Sequence, residues 1–163
     1  MTYEIADKAI QWALSNINND KEKPIIGFFG GEPLLKFDDI IVPIVEKYKD
    51  QVEFNITTNG VLLTEDVVDF FLKNDIMPLL SFDGVAQVQN LQRSNSFDQV
   101  LNNIPYLLLR FPYTTMRATV TKESIPFLFD TVVMANELGF KSLFFCENAY
   151  EDWDKETETL LAE

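Results

Sequence analysis

The chain has 163 residues, with 26 acidic and 13 basic side chains, no histidine and one cysteine, Cys146. Without histidine there is no Ser-His-Asp or Cys-His nucleophile scheme and no His-ligated metal site. A single cysteine excludes an internal disulfide, a four-thiolate zinc site and, by itself, the thiolate cage of an iron–sulfur cluster. The formal net charge of −13 argues against a nucleic-acid partner, because neutralising phosphates needs clustered Lys and Arg. No apolar run approaches the roughly 20 residues of a membrane helix, and the N-terminal MTYEIADKAI lacks a signal-peptide layout. A soluble, cytoplasmic, folded domain is the expectation, since 47% of the residues are hydrophobic and 14 are Phe.

Helical spacing of Ala6, Ile10, Ala13, Leu14 and Ile17 predicts a helix over residues 3–17, with Thr2 as N-cap. Residues 21–24 read as a loop and IIGFF at 25–29 as a buried strand. A helix is expected after Asp38 or Asp39, with Pro43 tolerated in its first turn. The alternation then continues with a strand at 52–57 and a helix capped by Thr64. Next come a strand at 77–82 and a helix opened by a capping box from Ser96 to Gln99. A strand at 114–120, a helix from about 125 to 138 stopped by Gly139, and a strand at 142–147 complete the series. Strands alternating with helices of this length imply βαβ units and a mainly parallel sheet. The chain opens on a helix and closes on the acidic NAYEDWDKETETLLAE, so the sheet is either open at both edges or lacks neighbouring segments.

Ligands of parallel α/β sheets bind at the carboxyl ends of the strands. Those positions hold GGEP at 30–33, TTNG at 57–60, SFDG at 81–84 and ENA at 147–149. Alternation places Asn55, Thr57 and Asn59, then Ser81 and Asp83, then Thr115, Arg117 and Thr119, opposite the helix-facing apolar residues. A guanidinium in the middle of an interior strand needs an anion, so Arg117 calls for a protein carboxylate or a ligand carboxylate or phosphate. Each motif also has a plain structural reading. GGEP and TTNG serve as turns, Asp83 caps or pairs with Arg117, and Cys146 is a small core hydrophobe.

Taken in order, FFGGEPLL at 28–35, ITTNG at 56–60, LSFDG at 80–84, QRSNSFDQVLNNI at 92–104, MRATVT at 116–121 and ELGFKSLFF at 137–145 resemble a radical S-adenosylmethionine (SAM) enzyme. The resemblance is to the branch of anaerobic sulfatase-maturating and peptide-modifying enzymes, and it covers about residues 1–148. It implies a partial (β/α) TIM-like barrel, of which this α/β chain supplies about five parallel strands of the family's six. It further implies a [4Fe–4S] cluster held by a CxxxCxxC loop, with SAM on the fourth iron, cleaved reductively to abstract hydrogen from substrate. Carried over, Gly30, Gly31 and Glu32 match the motif that receives the methionyl amino group. Ser81 and Arg117 match the residues that hold the methionyl carboxylate and ribose end of SAM. Thr58, Asn59 and Asp83 fall at strand ends lining the same cavity.

The departure from the family is that no CxxxCxxC occurs in these 163 residues, and that the Cys-rich C-terminal domain has no counterpart. The expectation is therefore an incomplete radical SAM core over residues 1–148, followed at 149–163 by the acidic start of another helix. In the parent polypeptide the partner would be a peptide or protein substrate, and the chain alone would be inactive and colourless. The alternative is a cluster-free, non-catalytic module that binds a small anionic ligand or a peptide. A weaker reading by fold analogy is a flavodoxin-like or phospho-acceptor domain using Mg²⁺, for which Glu32 and Asp83 are the obvious carboxylates. Unpaired sheet edges would favour self-association.

Overall fold

The computed structural model describes residues 1–17, 23–155, 157 and 159. Five strands form one parallel α/β sheet in the order β1-β2-β3-β4-β5, with β1 (Ile25–Phe28) and β5 (Ser142–Glu147) at its two ends. Between them run β2 (Glu53–Thr58), β3 (Met77–Ser81) and β4 (Thr115–Val120). The expected fold class, a partial TIM-like barrel sheet, is the observed one. By internal packing the chain divides into two compact units, Met1–Thr58 with Leu62–Leu79, and Asn59–Val61 with Leu80–Glu163.

In the first unit, α1 (Tyr3–Ser15) buries Ala6 and Ile10, while α2 (Val42–Tyr48) buries Ile44, Val45 and Tyr48. Thr2 stands at the N-cap in extended conformation but makes no side-chain cap bond. The two helices are tied by Asp7, whose Oδ1 accepts from Lys47 Nζ at 2.6 Å and Tyr48 OH at 2.6 Å. The Lys47 bond, then the Tyr48 bond, hold the Asp7 carboxyl below the usual carboxylate range.

The path into α2 differs from the sequence expectation. The chain coils first as a 3₁₀ turn at Pro33–Lys36 and then as a π turn at Phe37–Ile41. Pro43 explains the wide turn: it has no N–H to give to residue 39, and its ring crowds that carbonyl. The preceding bond accordingly lengthens to Val42 N–H onto Phe37 O, five residues back. Helix α3 (Glu65–Lys73) begins as expected, with Thr64 Oγ1 accepting from Val67 N at 3.3 Å. β1 and β2 pair in parallel, and Phe28 stacks on Phe54 with ring centroids 5.4 Å apart.

In the second unit, a helix that the sequence did not announce, α4 (Ala86–Gln92), precedes α5 (Phe97–Arg110). It carries three glutamines and buries only Val88 and Gln89, so it has no apolar stripe to detect. The expected capping box at Ser96 does not form. Ser96 has near-helical dihedrals, and its Oγ accepts from Gln89 Nε2 at 2.9 Å instead. Asn90 Oδ1 takes the Phe97 N–H at 2.9 Å, and Gln99 turns away to donate to Val61 O at 3.2 Å. Beneath α5, Phe82 stacks on Phe97 at 5.8 Å, and Val100, Ile104 and Leu107 are buried.

The alternation read along β4 is observed, with Met116, Ala118 and Val120 buried and Thr115, Arg117 and Thr119 only partly so. Helix α6 (Leu128–Leu138) ends at Gly139, whose φ of +97° closes the helix. β5 pairs with β4 in parallel, setting Arg117 opposite Phe144. Beyond β5, Asp154 Oδ1 accepts from Thr157 N at 2.9 Å and Thr157 Oγ1 at 2.6 Å, the start of the expected acidic helix. Residues 156, 158 and 160–163, where that helix was expected to continue, and residues 21–22 of the expected first loop lie outside the described residues.

Candidate functional site

The carboxyl ends of β1 and β2 hold four of the residues singled out in the sequence. Gly30 adopts φ +126°, which an L side chain rarely tolerates, and a Cβ at Gly30 or Gly31 would meet nothing within 4 Å. The two glycines are thus exposed backbone, open to an approaching ligand. Glu32 then reverses the chain: its Oε1 accepts from Leu34 N at 3.1 Å and from Thr58 Oγ1 at 2.8 Å. Thr58, the last residue of β2, is 1% exposed. Glu32 and Thr58 are therefore brought together, and the carboxylate serves as a turn cap as well as a strand-end group.

The second unit carries the remaining four. Asn59 Oδ1 accepts from Val61 N at 3.0 Å, and Gly60 takes φ +79°, so the turn reading of Asn-Gly holds. Asn103 Nδ2 and Gln99 Nε2 hold the carbonyls of Gly60 and Val61 from α5. Ser81 is half-buried at the end of β3. Asp83 does not continue the alternation with Ser81, because the strand has stopped, and Phe82 and Asp83 are both buried.

The Asp83 partner also differs from the one weighed in the sequence. Its carboxylate pairs with Arg93, from Nε at 2.5 Å and Nη2 at 3.0 Å, rather than with Arg117. It also accepts the Thr119 N–H at 2.8 Å, while its own N–H goes to Gln89 Oε1 at 2.7 Å.

Arg117 is half-buried and has no carboxylate partner among the described residues. Its Nη2 lies 3.9 Å from Cys146 Sγ, and its carbonyl accepts from Phe82 N at 3.0 Å. Cys146 is not the buried core residue expected; it is partly exposed, with this guanidinium beside it. Sequence reasoning gave no role to Arg93, Gln89 or Gln92. Arg93 and Gln92 lie in the quoted QRSNS stretch, but only α4 folds all three back onto Asp83.

No group of three or more His, Cys, Asp or Glu side chains that could hold a metal occurs among the described residues. One cysteine cannot supply the three thiolates of a [4Fe–4S] cluster, so the residues of this chain do not fit that group. Arg117, a half-buried guanidinium without a carboxylate partner among the described residues, has the chemistry to meet the anionic end of SAM. No helix is long and apolar enough to cross a membrane, among the described residues.

An open parallel sheet with polar groups concentrated just after its strands defines an α/β protein of the TIM-barrel type. The model of the radical SAM superfamily matches residues 3–125, and the chain belongs to that superfamily. An uncharacterized protein of Methanocaldococcus jannaschii is 28% identical over 155 residues, covering 89% of this chain and 52% of that protein. The radical SAM cyclopropyl synthase TigE of Paramaledivibacter caminithermalis is 30% identical over 112 residues, 66% of this chain and 23% of the enzyme. The cysteine-type anaerobic sulfatase-maturating enzyme of Clostridium novyi is 30% identical over 101 residues, 55% of this chain and 27% of the enzyme. The chain thus spans about half, or less, of the length of these relatives. Among solved structures, anSMEcpe with bound AdoMet superposes with a TM-score of 0.84 at 20% identity, covering 99% of this chain and 47% of that one. The same enzyme with AdoMet and a bound peptide gives 0.83, at 20% identity and over 99% and 50% of the two chains.

Proposed function

We propose that this chain is the SAM-holding part of a radical SAM enzyme that modifies a peptide or protein. The single observation that carries the reading is Arg117, a half-buried cation on an interior strand without a carboxylate partner among the described residues. Arg117 and Ser81 would take the methionyl carboxylate and ribose end of SAM. The exposed backbone at Gly30, Gly31 and Glu32 would accept from the methionyl amino group. Thr58 and Asn59 match strand-end positions that line the cavity in the family. Asp83 is already engaged by Arg93 and the Thr119 N–H. SAM supplies the chemistry of hydrogen abstraction only together with a reduced cluster, and the cluster ligands would come from sequence outside these 163 residues. A peptide or protein substrate is supported by the sulfatase-maturating relative and by the peptide-bound structural neighbour.

Titration of the purified chain with SAM by ligand-observed NMR tests the reading. Weak, saturable binding that is lost in Arg117→Ala is expected, because chelation to iron is missing and the methionyl group has fewer anchors. Absence of binding up to about millimolar SAM sinks it. Reading the coding sequence upstream of the Met1 codon separates the enzyme from its alternative: an in-frame CxxxCxxC is expected. Its absence would favour the cluster-free anion-binding module, the reading that the single cysteine supports.

A further inference from the structure

We propose that Arg93 is a positioning residue whose ion pair with Asp83 keeps the Arg117 guanidinium available for an anionic ligand group; this rests on the reading of Arg117 just given. The chain has only three arginines. Arg110 lies over the ring of Tyr106, 5.2 Å from its centroid, and Arg93 is forked onto Asp83, which leaves Arg117 facing a thiol. Asp83 is the competitor that the protein itself provides. It is 4% exposed, and it accepts the N–H of Thr119, two residues beyond Arg117 on β4. Residues two apart on a strand leave the sheet on the same face, about 6.5 Å apart, within reach of an extended arginine.

A buried carboxylate left unpaired is strongly unfavourable, so without Arg93 the nearby guanidinium of Arg117 would be drawn to it. Arg93 prevents this by matching both carboxylate oxygens at once, a geometry that a lysine cannot reproduce. The surrounding amides fix the arrangement. Gln89, fully buried, bridges the Asp83 N–H to Ser96 Oγ. Gln92, with its carboxamide in the orientation that satisfies both ends, donates to Asp83 Oδ2 at 3.0 Å and to Thr119 O at 3.1 Å. Both backbone groups of Thr119 are thereby clamped by side chains, and the strand segment that carries Arg117 is set by the same cluster.

Arginine-selective ¹⁵N NMR on the full chain, with two ligands, tests this. In the wild type, hindered guanidinium rotation is expected at Arg93 and free rotation at Arg117. In Arg93→Met the hindrance passes to Arg117, and affinity for SAM falls about tenfold. Affinity for methylthioadenosine, which lacks the amino-acid group, falls much less. Adding Asp83→Asn removes the competitor together with its partner, frees Arg117 again and restores most of the SAM affinity; it also guards against loss of folding in the single variant. Equal losses for both ligands with the Arg117 signal unmoved would mean a merely structural Arg93 and overturn the proposal. So would hindered Arg117 rotation in the wild type. A wild type that binds neither ligand overturns the functional reading alone, since the rotation measurements still decide the pairing.

Discussion

Glu32 and Asp83 are both carboxylates placed just after a strand, yet the two regions use them in different ways. Glu32 is half-buried, and its partners include the Leu34 N–H and the Thr58 hydroxyl. Asp83 is buried and meets a guanidinium fork as well as a backbone N–H. Their neighbouring glycines differ in the same direction. A Cβ on Gly30 would enter open space, whereas one on Gly84 would fall 2.1 Å from Thr131 Oγ1. The first region is a turn with its backbone exposed; the second is packed, and its charges are matched internally.

The largest expected effect that would break this contrast is at Asp83. Asp83→Ala leaves the Arg93 cation and the Thr119 N–H unmet, and should cost about 3–5 kcal/mol in chemical denaturation. A cost below about 1 kcal/mol would place Asp83 in the same class as an exposed ion pair. Gly84→Ala should follow at about 2–4 kcal/mol, because positive φ and a clash with the buried Thr131 side chain add. Gly30→Ala should cost only about 1 kcal/mol, from φ alone. Glu32→Ala should lose about 1–2 kcal/mol, and Glu32→Gln less, since the amide oxygen still accepts from Leu34 and Thr58.

The smallest effect expected is at Asp7. Its carboxyl is held below the usual range by Lys47 and Tyr48, so the bond contributes stability above the unfolded carboxylate pKa and loses it as pH falls through the lower folded value. A ¹³C titration of the Asp7 carboxyl should show protonation below about pH 3.9, accompanied by a shift of the Tyr48 ring signals. Protonation at or above that value would show that the tie between α1 and α2 is loose in solution.

Strands β1 to β5 and helices α1, α3, α5 and α6 were legible because each carries its own apolar pattern, of period 2 or 3.6. Thr64 and Gly139 marked their helix ends for the same local reason: cap bonds and positive φ depend on a few neighbouring residues. Helix α4 was not legible, because a glutamine-rich segment shows no apolar face. Its invisibility hid the Arg93–Asp83 pair, which depends on α4 turning the chain back over ten residues. Ser96 followed the letter of a capping box, but Gln89 competed for its hydroxyl and Val61 for Gln99.

The sequence by itself determined the alternation of strands and helices, the placement of GGEP, TTNG, SFDG and Arg117 at strand ends or on an interior strand, and the single-cysteine limit on cluster ligation. These depend on spacing and composition, which are local or additive. Only the tertiary structure decided which buried charges meet. Both Arg93 and Arg117 were available to Asp83 in the sequence, and the choice fell to Arg93 because α4 brings its planar fork to both carboxylate oxygens. A buried carboxylate takes the partner whose geometry satisfies it fully, and that geometry exists only once the chain is folded.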